Sequence, residues 1–209
     1  MGLTIHYSVR LRDMKRLPEL VSEVEDICKT LKWDYHHFND TFEVPAHTMP
    51  FESTEGDPKV IRLKGILFSP PKCEPVFLTF TPDGWSSTFF NLEMPEQIAE
   101  IGPKLMYCVH VKTQGAGEDI HIALVHLLKY LEKKYFSFVE VNDEGNYWET
   151  MDKGVLREHF GVYNDLMDMV ASVLETAEWT PTDNPNEVAK QLEDLLKNRF
   201  SAEKENPSV

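Results

Sequence analysis

The chain has 209 residues, of which 42% are hydrophobic and 11% aromatic, so it can bury one sizeable core and global disorder is excluded. Its formal net charge of −14 repels phosphate backbones and disfavours nucleic-acid binding unless a local basic patch exists, and only short pairs such as Lys133 and Lys134 are present. The 3 cysteines are an odd number without CxxC spacing, which argues against a disulfide framework or a cysteine-rich zinc site and predicts reduced thiols in the cytoplasm.

The first part of the chain predicts a strand, a helix and a second strand. Residues 3–11 alternate as a strand, with no basic run before a long apolar segment, so neither a signal peptide nor a membrane span is expected. Residues 17–31 carry apolar side chains at helical spacing, and Pro18 lies in the first turn, where its missing amide hydrogen costs little. Residues 35–38 then read as the returning strand.

The middle of the chain predicts a long loop followed by three antiparallel strands. Residues 40–58 hold three prolines and no consistent period, so His47, Met49 and Phe51 lie either in a lid over a pocket or in an ordinary surface excursion. Strands are expected at 60–68, 75–81 and 85–93. The turn between the last two is indicated by Thr81-Pro82-Asp83-Gly84.

The second part of the chain repeats the order of the first. A strand at 107–111 leads into a helix at 118–135 with apolar residues three and four apart. The next segment changes to period two, which places Phe136, Phe138 and Glu140 on one strand face. The similar order suggests an internal duplication of 1–93 and 104–150 within one domain at 1–150, although two such units can also look alike by chance.

Helices are predicted for residues 151–200, packed on that domain, with a frayed tail at 201–209. Asp152 can cap a short helix that Gly161 would end, and Asn164 can cap a second. Asn184 and the following proline would open the last helix.

No metal, nucleotide or nucleophile motif is found, so no catalytic residue, metal ligand or cofactor is predicted. His6 and His110 could approach each other if the two repeat strands pair centrally, but no carboxylate follows at ligand spacing. The segment 115–117 contains two glycines before a helix, and it lacks the further residues that would make it a phosphate loop.

One group of residues does indicate a binding site. Glu140 precedes an aromatic turn that contains Tyr147 and Trp148. A carboxylate beside aromatic rings would attract a cationic ligand that stacks on the rings. Alternatively, the aromatic residues of the turn pack on the core while the acidic residues face water.

The sequence EGNYWET closes the second of two strand-helix-strand-strand units. In this order of elements, residues 3–150 resemble the gyrase-inhibitor-like small-molecule-binding domains. The resemblance implies that a buried acid among aromatic rings binds cationic or drug-like molecules, and Glu140 is the position that matches. The long segment at 40–58, the extra strand and the C-terminal helices depart from the family pattern.

These observations together predict an α+β protein, with a mixed or antiparallel sheet, two helices on one face and a C-terminal helical appendage. The predicted function is binding of a small apolar or cationic molecule between the two repeats. The expected ligand-binding residues are Glu140, Tyr147, Trp148, Tyr107 and Trp85. The alternative is an acidic, non-enzymatic interaction module, of the inhibitor or immunity type, that meets a basic protein partner.

Overall fold

The structure is a computed structural model that describes residues 2–48 and 57–176, together with 184, 186, 187, 190, 191 and 193. Contacts divide the chain into two compact units, residues 1–160 and 161–209. The predicted lid residues Met49 and Phe51, most of the predicted last helix and the predicted tail at 201–209 lie outside the described residues.

The α+β class and the antiparallel pairing are confirmed. The strands are β1 (Thr4–Leu11), β2 (Asp34–Val44), β3 (Lys59–Ser69), β4 (Val76–Phe80), β5 (Val109–Lys112) and β6 (Phe136–Asp143). The helices are α1 (Leu17–Leu31), α2 (Phe89–Glu93), α3 (Pro95–Ile101), α4 (Glu118–Tyr135), α5 (Tyr147–Thr150) and α6 (Lys153–Thr176). Within the described residues, none of the helices has the length and apolarity needed to cross a membrane.

The strands form two antiparallel sheets, with the orders β5-β1-β6 and β2-β3-β4, rather than one continuous layer. Both edges of β1 are occupied, by β5 and β6, so β2 cannot pair with it and joins β3 instead. The segment after the predicted turn connects the two sheets, because Trp85 bridges to Arg10 of β1 and Ser86 bridges to Phe80 of β4.

The two repeat strands pair centrally, which was the condition for His6 and His110 to approach each other. β1 and β5 run antiparallel, and His6 lies directly opposite His110. On its other edge β1 pairs with β6, with His6 opposite Asn142 and Ser8 opposite Glu140.

Two predicted segments have different conformations. The loop predicted at 40–58 is shorter, because β2 continues to Val44 in a ladder with β3. The predicted strand at 85–93 is wrong beyond its first residues. Thr88 caps helix α2 there, because its hydroxyl accepts a hydrogen bond from the amide of Asn91.

The prediction that Gly161 ends a helix is also wrong, because α6 runs without interruption from Lys153 to Thr176. Glycine ends helices mainly by adopting a left-handed conformation, and Gly161 is absent from the residues of positive φ among those described. A glycine in helical conformation weakens a helix without ending it.

Helices α1 and α4 are joined by a charged cluster centred on Glu23. Its carboxylate contacts Lys134 Nζ at 2.8 Å and accepts hydrogen bonds of 2.6 Å from the hydroxyls of Tyr130 and Tyr135. Burial raises the pKa of Glu23, but these three partners outweigh it and lower that pKa to about 2.

Replacing Glu23 by Gln is expected to lower the free energy of unfolding at pH 7 by about 1–2 kcal/mol, a value discounted for partial exposure. A carboxylate whose pKa is lower in the folded protein stabilises that protein at pH values above its unfolded pKa of about 4.3. This stabilisation is lost as the pH falls through the folded pKa. Urea denaturation between pH 2 and 7 measures both effects. Asp26→Asn is the control because the Asp26 side chain is 74% exposed on the same helix. An equal loss in both variants would contradict the prediction.

Candidate functional site

The β5-β1-β6 sheet has one covered face and one open face. Alternate residues of β1 are buried, and these are Ile5, Tyr7, Val9 and Leu11. Helix α4 packs against β6, and the Tyr7 hydroxyl donates a hydrogen bond of 2.8 Å to the Phe77 carbonyl on the covered side. The intervening residues of β1, including His6 and Ser8, therefore form the open face.

A bulge in β6 decides which of its side chains reach this open face. Arg10 pairs with Phe138 and Leu11 pairs with Phe136, so Ser137 is an extra residue between the two pairs. Phe136 consequently lies on the covered side, where its ring contacts Phe80. The prediction that Glu140 shares a face with two rings is corrected, because only Phe138 remains beside it.

The open face contains a groove of about 310 Å³. It lies where β1 and β6 meet the 3₁₀ turn that precedes β5. Its lining residues are His6, Tyr7, Ser8, Lys104, Leu105, Cys108, Glu140 and Asn142. Glu140 is exposed at the wall of this groove rather than enclosed in the core.

The groove carries one acidic and one basic side chain that are free to meet a ligand. Among the described residues, no ion pair involves Glu140 or Lys104. Burial raises the pKa of the Cys108 thiol; the hydrogen bond with Ser8 opposes this effect and the Glu140 carboxylate reinforces it. Cys108 therefore stays a neutral thiol at pH 7 and is a poor nucleophile.

An aromatic cluster lies next to Glu140 on the same face. Trp85 stacks on Tyr107 with centroids 5.2 Å apart and planes 9° apart, and it meets the edge of Phe138, also at 5.2 Å. The Arg10 guanidinium lies 5.4 Å from the Trp85 centroid. Of the predicted site residues, Glu140 and the half-buried Trp85 thus lie near Phe138 on the open side, whereas Tyr107 is only 6% exposed and packs in the core with Leu63 and Met106.

The other two predicted site residues lie on the α4 side of the sheet. Tyr147 is buried, and its hydroxyl lies 3.3 Å from His126 Nε2 of α4. Trp148 is covered by the Lys129 ammonium, which lies 4.1 Å from its ring centroid. These rings therefore belong to the packing of α5 on α4 rather than to the groove.

Asp143 is the last residue of β6 and Glu144 follows it, and each carboxylate lies near a histidine on a different face of the sheet. Glu144 Oε1 lies 3.7 Å from His6 Nε2 on the open face, while its Oε2 accepts a hydrogen bond of 2.8 Å from the Thr4 amide. Asp143 Oδ1 lies 3.0 Å from His121 Nε2 on the covered face, with both side chains fully buried.

The buried pair continues into a polar chain beneath the open face. His121 Nδ1 lies 2.8 Å from the Thr113 hydroxyl, and this hydroxyl also donates to the Leu3 carbonyl. The Asp143 carboxylate accepts 2.8 Å hydrogen bonds from the amides of Gly145 and Trp148. Because solvent has no access to it, this chain fixes the end of β6 rather than acting on a ligand.

Ser8, Lys104 and Cys108 line the groove but were not predicted as site residues from the sequence. Ser8 could have been found from the register, because it lies two residues after His6 on the same strand face. Lys104 enters from a 3₁₀ turn, for which the sequence carries no comparable period.

Comparison with known proteins identifies no matching protein family, curated protein or solved structure. Within the part of the chain that the structure describes, no group of three or more His, Cys, Asp or Glu residues could hold a metal ion.

Proposed function

We propose that the protein binds a small molecule in the groove on the open face of the β5-β1-β6 sheet. The ligand carries an apolar ring together with a cationic or N–H donor group. The observation that supports this proposal is the position of Glu140, which lines the groove, has no ion pair among the described residues and lies two residues from the exposed Phe138, whose ring meets the half-buried Trp85.

The physical basis is the combination of ring stacking with a charged acceptor. Aromatic side chains attract cations and flat rings, and a carboxylate gives directional hydrogen bonds to N–H groups. The groove is open, so the expected ligand is small and partly exposed to solvent. The resemblance to gyrase-inhibitor-like domains implies the same ligand class and remains an expectation.

Replacing Glu140 by Gln is expected to weaken binding of the fluorescent hydrophobic cation rhodamine 6G at least about tenfold, because the neutral amide cannot balance the ligand charge. Fluorescence anisotropy of the full chain at constant ionic strength measures the affinity. Glu149→Gln, an exposed acid on α5, is the control and is expected to leave the affinity unchanged. Non-saturable binding, or equal affinities in all three proteins, would overturn the proposed function.

A second candidate function, an acidic module for a basic protein partner, is favoured by a different surface. A groove of about 470 Å³ lies on α1 and α4. Acidic and apolar residues line it together, namely Glu23, Asp26, Ile27, Thr30, Leu31 and Tyr130. A Lys-rich amphipathic helical peptide is the probe, and binding that weakens with added salt and with Asp26→Lys would support this function.

A further inference from the structure

Two histidines lie side by side at the centre of the open face. His6 and His110 occupy directly opposite positions on β1 and β5, and their ring centroids are 6.1 Å apart. Both side chains reach solvent, and His6 lines the groove. Two imidazoles at this separation can reach the same small ligand, one to accept a proton and one to donate it.

The surroundings of the two imidazoles differ. Glu144 Oε1 is 3.7 Å from His6 Nε2, and the Thr4 amide holds the other carboxylate oxygen. At 3.7 Å the Glu144 carboxylate is too far from the ring to form a hydrogen bond but close enough to attract a positive charge on it, which suits a proton donor. Within the described residues no carboxylate contacts His110, which suits a proton acceptor.

Two lysines lie near this pair of histidines. Lys112 follows His110 on the same strand face, about 7 Å further along β5. Lys104 lies on the rim of the groove and makes no ion pair among the described residues. The Lys112 side chain extends over Gly2, where its Cε lies 2.5 Å from the position of an added Cβ. The Lys104 ammonium is therefore the cation that suits a ligand with a single negative charge, such as a phosphodiester.

Two neighbouring residues of β6, Glu140 in the groove and Phe138 beside it, suit a nucleobase. Glu140 pairs with Ser8, which lies two residues after His6 on the same face of β1. Glu140 is therefore about 7 Å further along the strands than the pair of His6 and His110. A carboxylate can accept two hydrogen bonds from adjacent N–H groups such as those on the edge of guanine, and the neighbouring Phe138 ring can contact the base.

We propose that this groove hydrolyses small nucleotide phosphodiesters, with His6 and His110 as the catalytic acid and base; this inference rests on the proposed function and specifies its ligand. His110 takes a proton from water while the water oxygen bonds to phosphorus. The phosphorus–oxygen ester bond breaks, and His6 donates a proton to the departing oxygen. The products are a phosphomonoester and an alcohol, and exchange with solvent restores both imidazoles. Glu144 is a positioning residue.

The test uses the purified full chain with guanosine 2′,3′-cyclic phosphate, and turnover is followed by chromatography. His6→Asn and His110→Asn are each expected to lower kcat/KM by about 10²–10⁴-fold. His36→Asn, which changes an exposed histidine of β2, is expected to leave kcat/KM unchanged. Glu144→Gln is expected to lower kcat more than it changes KM. Thermal unfolding checks that each variant is folded, and His6→Gln and His110→Gln provide second substitutions.

Absence of turnover by the wild-type chain, or turnover that survives in both histidine variants, would overturn the catalytic inference. Calorimetric titration of the same nucleotide into wild-type, Glu140→Gln and Glu149→Gln proteins separates this outcome from failure of the proposed function. Binding that depends on Glu140 without turnover removes only the catalysis. If neither the nucleotide nor rhodamine 6G binds in a Glu140-dependent manner and no turnover occurs, both proposals fail.

Discussion

Replacing Gly65 by Ala is expected to lower the free energy of unfolding on the order of 4 kcal/mol. Gly65 has φ of +155°, which side-chain-bearing residues rarely adopt, and an added Cβ would lie 2.0 Å from the Leu78 carbonyl oxygen. That oxygen belongs to the backbone of the paired strand β4, so relief requires the ladder to move. Backbone strain and steric overlap each cost about 1–3 kcal/mol.

The burial pattern of β3 explains why a glycine occupies position 65. Ile61 and Leu63 of β3 pack in a cluster with Met106 and Tyr107, whereas Phe68 stacks on Trp33, which follows α1. The buried side chains of β3 thus change from one face of the sheet to the other along the strand. Gly65 lies at this change, paired with Phe38 of β2 and Thr79 of β4.

Chemical denaturation of wild-type and Gly65→Ala proteins measures this loss. Gly117→Ala is a matched control, because Gly117 also has a positive φ, of +87°, but an added Cβ would meet nothing within 4 Å. The control should lose only about 1 kcal/mol, since it suffers backbone strain without overlap. A loss of stability in Gly65→Ala no larger than in the control would contradict the prediction, because it would show that strand β4 can move away from the added Cβ at little cost.

The elements with a strong period were predictable from the sequence. α1 buries Leu17, Leu20, Val24 and Cys28, and α4 buries Leu124, Leu128 and Leu131, as helical spacing requires. β1 alternates between buried and open positions over its whole length, so the position of His6 and Ser8 on one face followed from the strand period.

The choice of strand partners was not predictable, because it depends on long-range pairing rather than on local period. The order of elements suggested one sheet, but occupation of both edges of β1 by β5 and β6 produces two. The bulge at Ser137 was unpredictable for the same reason, because an extra residue in one strand can be recognised only from its pairing with the partner strand. It moves Phe136 away from Glu140, which a strict period of two could not show.

The candidate site was predictable only in part for the same reason. Glu140 was placed near Trp85 and Tyr107, and Trp85 does meet Phe138 beside Glu140 on the open face, whereas Tyr107 lies beneath Trp85 in the buried core. Tyr147 and Trp148 were grouped with Glu140 because they follow it closely in the chain. However, the turn after Asp143 carries them to the side of α4, where they pack.

Replacing Asp143 by Ala is expected to destabilise the protein on the order of 4 kcal/mol. The substitution leaves His121 buried without its anionic partner, and it removes the acceptor for the amides of Gly145 and Trp148. Breaking one partner of a buried ion pair costs about 3–5 kcal/mol. The loss should appear in urea denaturation at pH 7.

The environment of His121 offers little room for compensation. An added Cβ at Gly145 would lie 3.1 Å from His121 Nε2 and 2.5 Å from Leu156 Cδ1, so the turn is closely packed over the imidazole. Glu149→Ala, on the exposed side of the same turn, is the control and is expected to change stability by less than about 0.5 kcal/mol. Similar losses in the two variants would mean that the turn, rather than the buried pair, determines stability.

The pH dependence gives an independent check on the Asp143 contribution. Burial raises the pKa of Asp143, but the hydrogen bond and charge of His121 and the two backbone amides outweigh it and hold that pKa below its usual value. Stabilisation by a carboxylate of lowered pKa is complete above the unfolded value of about 3.9 and is lost as the pH falls through the folded value. The difference in unfolding free energy between the wild type and Asp143→Asn should therefore decrease as the pH falls below about 4. A difference that stays constant down to pH 2 would show that Asp143 acts through packing rather than through its charge.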